Sequence, residues 1–164
     1  MKNKKLYLFL TFILSALILL IVFAFMGILG KNNNSIFIGD MFAQYIPFIK
    51  SFLSVLRGED SLWYSFSNYM GSGNILKFCY YSLNPFNIIF FFENSSNIQT
   101  LIIILIVLKI GLASSSFQYF LSKYITNDFF GVIISVFYGL SAFTVFWYYN
   151  VMWLDVAYIM PFLI

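Results

Sequence analysis

The chain has 164 residues, of which 62% are hydrophobic, 23% aromatic and only 9% charged, with a formal net charge of +3 and a mean hydropathy of +0.89. A globular domain is about half apolar and about a quarter charged, so this composition excludes an ordinary soluble fold and assigns the chain to a bilayer. Histidine is absent and Cys79 is the single cysteine, which excludes an intrachain disulfide and removes the commonest zinc ligand and general base.

Lys2, Lys4 and Lys5 crowd the N-terminus and precede an uncharged run over residues 6–30. That cluster is a topology signal and offers no basic patch suited to nucleic acid. A signal peptide has an apolar region of about 7–15 residues, whereas a spanning helix needs roughly 20. The run is read as an uncleaved first spanning helix, held with its N-terminus in the cytoplasm by the positive-inside rule.

Residues 31–97 are mixed and are expected outside. Lys31, Lys50, Arg57 and Lys77 balance Asp40, Glu59, Asp60 and Glu93, and loops this long translocate largely regardless of charge. Asp40, Gln44, Pro47, Ser51, Ser54 and Gly58 recur at spacings of three and four, with apolar residues between them. This period predicts an interfacial helix over 40–57. Because Pro47 is tolerated best in a first turn, the helix proper is expected to begin near Ile46. "GSGN" (71–74) predicts a turn. "SLNPFNIIFFF" (82–92) predicts a second short helix, capped by Asn84 with Pro85 at its first position and too short to span.

A second spanning helix is predicted over Ile98–Leu121, a short inner loop over 122–128 with Lys123 on the cytoplasmic side, and a third spanning helix over 129–149. "VAYIMPFLI" opens another apolar run that stops with the sequence, as in a truncated reading frame. The expected fold is therefore an all-α integral membrane protein with about three transmembrane helices and a truncated fourth. It forms a single membrane domain (1–164) whose long extracellular loop (31–97) holds short interfacial helices. Asp40 and Asp155 then fall on the outer side near the membrane surface, and Lys109 near the middle of the second span.

Few residues can carry chemistry. Asp40 has two readings: a helix N-cap, or a carboxylate at the water–lipid boundary that serves as a general base or ligates a divalent cation through oxygen. Asp155 presents the same choice between a helix-end acid and a polar group in a cleft. Lys109 is costly at mid-membrane and is expected to face the bundle interior toward a partner, an acid or a lipid phosphate. Trp63, Tyr64, Tyr69, Tyr80, Tyr81, Trp147, Tyr148, Tyr149 and Trp153 crowd the outer side, most as an interface belt and a few able to stack on a sugar ring. No Gly-rich phosphate loop, no Cys or His metal spacing and no Ser/His pair occurs, so neither a nucleotide nor a haem is expected.

"DMFAQYIPF", a tryptophan and "MGSGN", "YYSLNPFNIIFFF", "LKIGLASSSFQYFL" and "FYGLSAFTVFWYYNVMWLDVAYIMPFLI" occur in this order, and together resemble the start of the bacterial YfhO membrane-protein family. Members look like GT-C glycosyltransferases, which take sugar from a polyprenyl-phosphate carrier on the outer membrane face, and have been linked to glycosylation of lipoteichoic or wall teichoic acid. In that fold an acidic residue follows helix one in the first outer loop, and membrane-parallel helices come after it. The resemblance thus implies a multi-pass plasma-membrane transferase with Asp40 catalytic, Gln44, Tyr45, Lys109 and Asp155 binding substrate, and no residue assigned to a metal. Its partners would be the bilayer, a polyprenyl-phosphate-linked sugar and a cell-wall polymer acceptor. Members are several times longer, so the chain is expected to be an N-terminal portion. A transporter or flippase-like protein and a non-catalytic membrane subunit are the alternatives.

Overall fold

The computed structural model describes residues 4–29, 34–66, 70–82, 84–93 and 97–164. Lys2, Lys31 and Tyr69, to which the sequence reading gave roles, lie outside them. Among the described residues three helices are long and apolar enough to cross a membrane, Lys4–Phe25, Ile98–Leu121 and Phe129–Phe146. The protein is an all-α membrane protein, as its hydropathy predicts. The chain divides into two compact units, residues 1–36 with 106–164, and residues 37–105.

The first unit is a helical bundle. Helix α1 (Lys4–Phe25) ends in a Schellman arrangement. Gly27 takes φ +71°, its N–H bonds the carbonyl of Ala24 at 3.0 Å, and the N–H of Ile28 bonds that of Phe23 at 3.0 Å. Glycine reaches this left-handed conformation without a Cβ penalty, which lets the last carbonyls be satisfied. One face of α1 buries Thr11, Ser15, Leu19 and Phe23, while Phe9, Leu17, Ile21 and Phe25 are exposed. In water such a face would aggregate; against lipid it is at home.

Small and hydroxyl residues hold α1 against α4 (Ile98–Leu121) and α5 (Asp128–Gly139). Ser15 Oγ donates to Ser114 Oγ at 2.6 Å and Ser115 Oγ to the carbonyl of Leu8 at 2.8 Å. Phe117 stacks on Tyr138 with centroids 4.2 Å apart, and Ser135 Oγ donates to Gln118 Oε1 at 3.1 Å. Lipid tails are as apolar as leucine, so association in a bilayer depends on such close approach and on interhelical hydrogen bonds.

The third span, predicted as one helix over 129–149, is broken. Helix α5 stops at Gly139 and α6 (Ala142–Phe146) restarts after Leu140 and Ser141. Thr144 Oγ1 donates to the carbonyl of Gly139 at 2.6 Å and to that of Ser141 at 3.0 Å. A freed carbonyl is thereby satisfied by a nearby hydroxyl, the condition on which a break is tolerated at membrane depth. A short apolar helix, α7 (Trp153–Leu163), follows and is tied to α5 by Tyr138 Oη donating to the carbonyl of Ala157 at 2.8 Å.

The second unit carries α2 (Ile46–Leu56), preceded by one wide turn over Met41–Tyr45. The N–H of Ile46 bonds the carbonyl of Met41, five residues back. Pro47 has no N–H to give to Ala43 and its ring would press on that carbonyl, so the turn widens upstream of it. The helix proper begins at Ile46, as Pro47 predicts. The segment 82–92 also follows prediction: Asn84 Oδ1 accepts from the N–H of Phe86 at 2.9 Å, with Pro85 opening a 3₁₀ helix (Pro85–Phe92).

"GSGN" is more than a turn. Ser72–Gly73 (β2) pairs antiparallel with Tyr64–Ser65 (β1), and Asn74 begins an unpredicted helix, α3 (Asn74–Tyr81). Gly71 sits at φ +103°, where a Cβ would run into the Tyr64 ring. Asn74 is fully buried, and its Nδ2 donates to the carbonyl of Ser61 at 2.6 Å.

A Cβ on Gly139 would lie against Ser114 Oγ, 2.9 Å from Ser114 Cβ and 3.1 Å from the Ile110 carbonyl. Gly139→Ala should therefore destabilise the bundle by about 1–3 kcal/mol, the usual cost of overpacking. Thermal unfolding of the detergent-solubilised protein reads this. Gly73→Ala, whose Cβ would meet only the Trp63 carbonyl at 3.6 Å, should be close to neutral.

Candidate functional site

The residues singled out in the sequence fall into two polar groups, one in each unit. In the second unit Asp40 follows Gly39, whose φ of +50° turns the chain into the wide turn. Asp40 precedes that turn in helical conformation but makes no side-chain cap bond, so the N-cap reading is not realised. Its Oδ1 instead accepts from Gln44 Nε2 at 3.2 Å. Gln44 Oε1 accepts in turn from Tyr81 Oη at 2.5 Å. The phenol hydroxyl, amide and carboxylate form a directed chain in which each hydrogen bond polarises the next. The amide orientation of Gln44 is assigned by having a donor on one side and an acceptor on the other.

Aromatic packing holds the relay. Tyr45 is 2% exposed and meets Tyr81 edge to face at 5.3 Å, while Tyr81 leans on Phe48 at 4.8 Å. Tyr45, expected to bind substrate, is thus a wall of the site. Asp40 is only partly buried. Among the described residues it has no ion-pair partner, and Gln44 is its one hydrogen-bond donor. The carboxylate is oriented but not neutralised.

One turn before Tyr81, Lys77 lies on the same face of α3. Its Nζ donates to Asn74 Oδ1 at 2.8 Å and to Ser51 Oγ at 3.4 Å. It also stands 4.7 Å from the Phe78 ring centroid and 5.3 Å from that of Phe48, distances at which a cation is attracted to a ring face. Burial pushes its pKa below the ordinary lysine value, and the charge of Asp60 opposes that shift. Neither Lys77 nor the role of Tyr81 was identified from sequence. Helical spacing could have paired Lys77 with Tyr81, but nothing in the chain order joins Tyr81 to Gln44.

In the first unit Lys109, 1% exposed, has the acidic partner that its position predicts. Its Nζ lies 2.7 Å from Asp155 Oδ1 and donates to the carbonyl of Val151 at 3.0 Å. Asp155 belongs to the first turn of α7, where the helix dipole favours negative charge. Asp155 was expected near the outer surface; it pairs instead with a residue half-way along α4. The pair is closed, each charge answering the other. No group of three or more Asp, Glu, Cys or His side chains able to hold a metal ion occurs among the described residues.

These features define an α-helical membrane protein in which the Asp40 carboxylate is open and Lys109 and Asp155 form a closed ion pair. The chain matches the family described as bacterial membrane protein YfhO over residues 11–164. It belongs to that family. No curated protein and no solved structure matches it.

Removing one member of a buried pair strands the other charge, at a cost of about 3–5 kcal/mol, whereas replacing both with apolar groups is often neutral. Lys109→Met and Asp155→Leu should each lower thermal stability strongly, and the double variant should recover most of the loss. Unfolding of the four proteins in one detergent measures the coupling; additive losses would mean that the pair does not hold α7 to α4.

Proposed function

We propose that this protein is a membrane glycosyltransferase, or the N-terminal part of one, that moves sugar from a polyprenyl-phosphate donor to a cell-envelope acceptor of the teichoic or lipoteichoic acid type. The observation that carries the reading is the Tyr81–Gln44–Asp40 relay, which orients a partly exposed carboxylate that no cation among the described residues pairs with. Asp40 acts as general base. The acceptor hydroxyl gives its proton to Asp40 as its oxygen bonds the anomeric carbon, and the bond from that carbon to the carrier phosphate breaks. The phosphate leaves with the bonding electrons, and its charge faces Lys77. Gln44 orients the base, and Tyr81 fixes Gln44. In this scheme the N-terminus is cytoplasmic in the bacterial plasma membrane and residues 31–97 are outside. Lys109 and Asp155 support it less directly, since their charges are taken up by each other.

A transporter-like reading draws on the break between α5 and α6, because discontinuous helices line the sites of many transporters. There the unwound carbonyls must remain available to the ion or substrate. Here the carbonyl of Gly139 accepts from the Thr144 hydroxyl and that of Ser141 from the N–H of Val145, which favours the transferase.

Asparagine keeps the shape of Asp40 and can still accept from Gln44, but it takes no proton at neutral pH. Asp40→Asn should therefore reduce transfer by about 10²–10⁴-fold, the usual worth of general-base catalysis. Transfer of labelled sugar from a polyprenyl-phosphate donor, in membranes carrying the protein, measures it. Wild-type turnover in a correctly inserted Asp40→Asn protein would overturn the assignment. Lys77→Gln should depress the same transfer without altering insertion.

A further inference from the structure

The bundle also holds a basic cavity that the proposed transfer does not use. Lys4 and Lys5 on α1 and Lys123, just past the end of α4, line a space of about 400 Å³ together with Gln118 and Ser122. Among the described residues no carboxylate belongs to this lining. Lys4 Nζ donates to the carbonyl of Ser122 at 3.0 Å, and Lys123 Nζ stands 5.2 Å from the Tyr119 ring centroid. Gln118 is 2% exposed and gives its Oε1 to Ser135. Its Nε2 has no acceptor among the described residues. Three exposed lysines around one space favour an anion within it, because like charges repel and an anion offsets them.

A solvated basic face would suffice as an explanation if the cavity ended there. A second space adjoins it instead. Leu8 and Tyr119 line the basic cavity and also line an apolar space of about 180 Å³ with Leu112, Tyr158 and Phe162. A basic compartment that shares two wall residues with an apolar one matches an amphiphile with an anionic head and a hydrocarbon tail. Both compartments lie within the first unit, at an end of membrane-spanning helices. Basic pockets between such helices suit anionic lipid headgroups.

We propose that this double cavity is a binding site for an anionic glycerophospholipid. Its phosphodiester is held by Lys4, Lys5 and Lys123, and one acyl chain runs between α1, α4 and α7 past Leu8 and Tyr119. The lipid joins the start of α1 to the end of α4 and relieves the repulsion among the lysines. The site does not rest on the transferase reading and would stand if that reading failed.

The test is native mass spectrometry of the full chain in a neutral detergent, with phosphatidylglycerol, phosphatidylcholine of the same chains, and inorganic phosphate as probes. Phosphatidylglycerol should bind at least tenfold more tightly than phosphatidylcholine, and inorganic phosphate should not displace it. With Lys4, Lys5 and Lys123 all changed to Gln, phosphatidylglycerol should weaken by about 100-fold, since each basic residue near a membrane surface contributes about fivefold. Lys50→Gln, outside the cluster, should change nothing. Equal retention of the two lipids, or retention unaffected in the triple variant, would overturn the site. Displacement by inorganic phosphate alone would reassign it to a soluble anion and overturn the lipid. The comparison of the two lipids on the unmodified chain needs no variant, so a triple variant that failed to fold would leave the proposal open to refutation.

Discussion

In hydrocarbon there is no water to take up an unmatched donor, acceptor or charge, and the rest of the structure follows from that constraint. Lys109 is its sharpest case. An ammonium group half-way along a spanning helix has neither surface within easy reach, so it needs a partner inside the bundle. It has two, the carboxylate of Asp155 at 2.7 Å and the carbonyl of Val151 at 3.0 Å. Both come from the chain around the start of α7. The charge therefore fixes where the last helix begins relative to α4, a job that apolar packing against lipid-like side chains would do poorly.

The same constraint explains the placement of hydroxyl groups. Thr11, Ser15, Ser114, Ser135 and Thr144 are all buried, yet each acts as a hydrogen-bond donor to a helix carbonyl or to a neighbouring side chain. Their small size lets helices approach, and their hydroxyls close local or interhelical hydrogen bonds. Glycine serves the first purpose alone: at Gly111 a Cβ would come within 2.7 Å of the Phe12 ring. Breaking the third span at Leu140 and Ser141 is tolerated because Thr144 Oγ1 donates to the carbonyl of Gly139, while that of Ser141 accepts from the N–H of Val145.

What could be read beforehand was what depends on local pattern. Long apolar runs define the spans, and α4 agrees with its predicted limits at both ends. Asn84 followed by Pro85, and the single Pro47, carry their structural consequences within one turn. What escaped depends on residues far apart in the chain. Tyr81 meets Gln44 because α3 packs on α2, and α3 was itself missed, because glycines at 71 and 73 signal a turn without saying that Asn74 starts a helix. The break after Gly139 escaped because Leu140 and Ser141 are unremarkable in a span; only Thr144 folding back on Gly139 makes the break visible. Lys109 was recognised as needing a buried partner, an acid or a lipid phosphate, but hydropathy does not say which.

Chemically, the two polar clusters differ in what each leaves unfinished. Lys109 and Asp155 complete each other, and opening that pair to bind a phosphate would leave a carboxylate stranded in a region where an isolated charge is expensive. Such a pair is suited to holding helices together. Asp40 is held from one side only, by an amide that is itself held by a phenol, and none of these groups supplies a compensating charge. An oriented, unneutralised carboxylate has little value for stability in a partly exposed turn, where a neutral side chain would satisfy Gln44 equally well. Its remaining advantage is that it can take up a proton or a cation. Retaining an acid there, beside a helix that presents Lys77 one turn from Tyr81, makes sense where an acceptor must be deprotonated while a phosphate departs. That difference in completeness, more than any single motif, directs the catalytic proposal to the second unit.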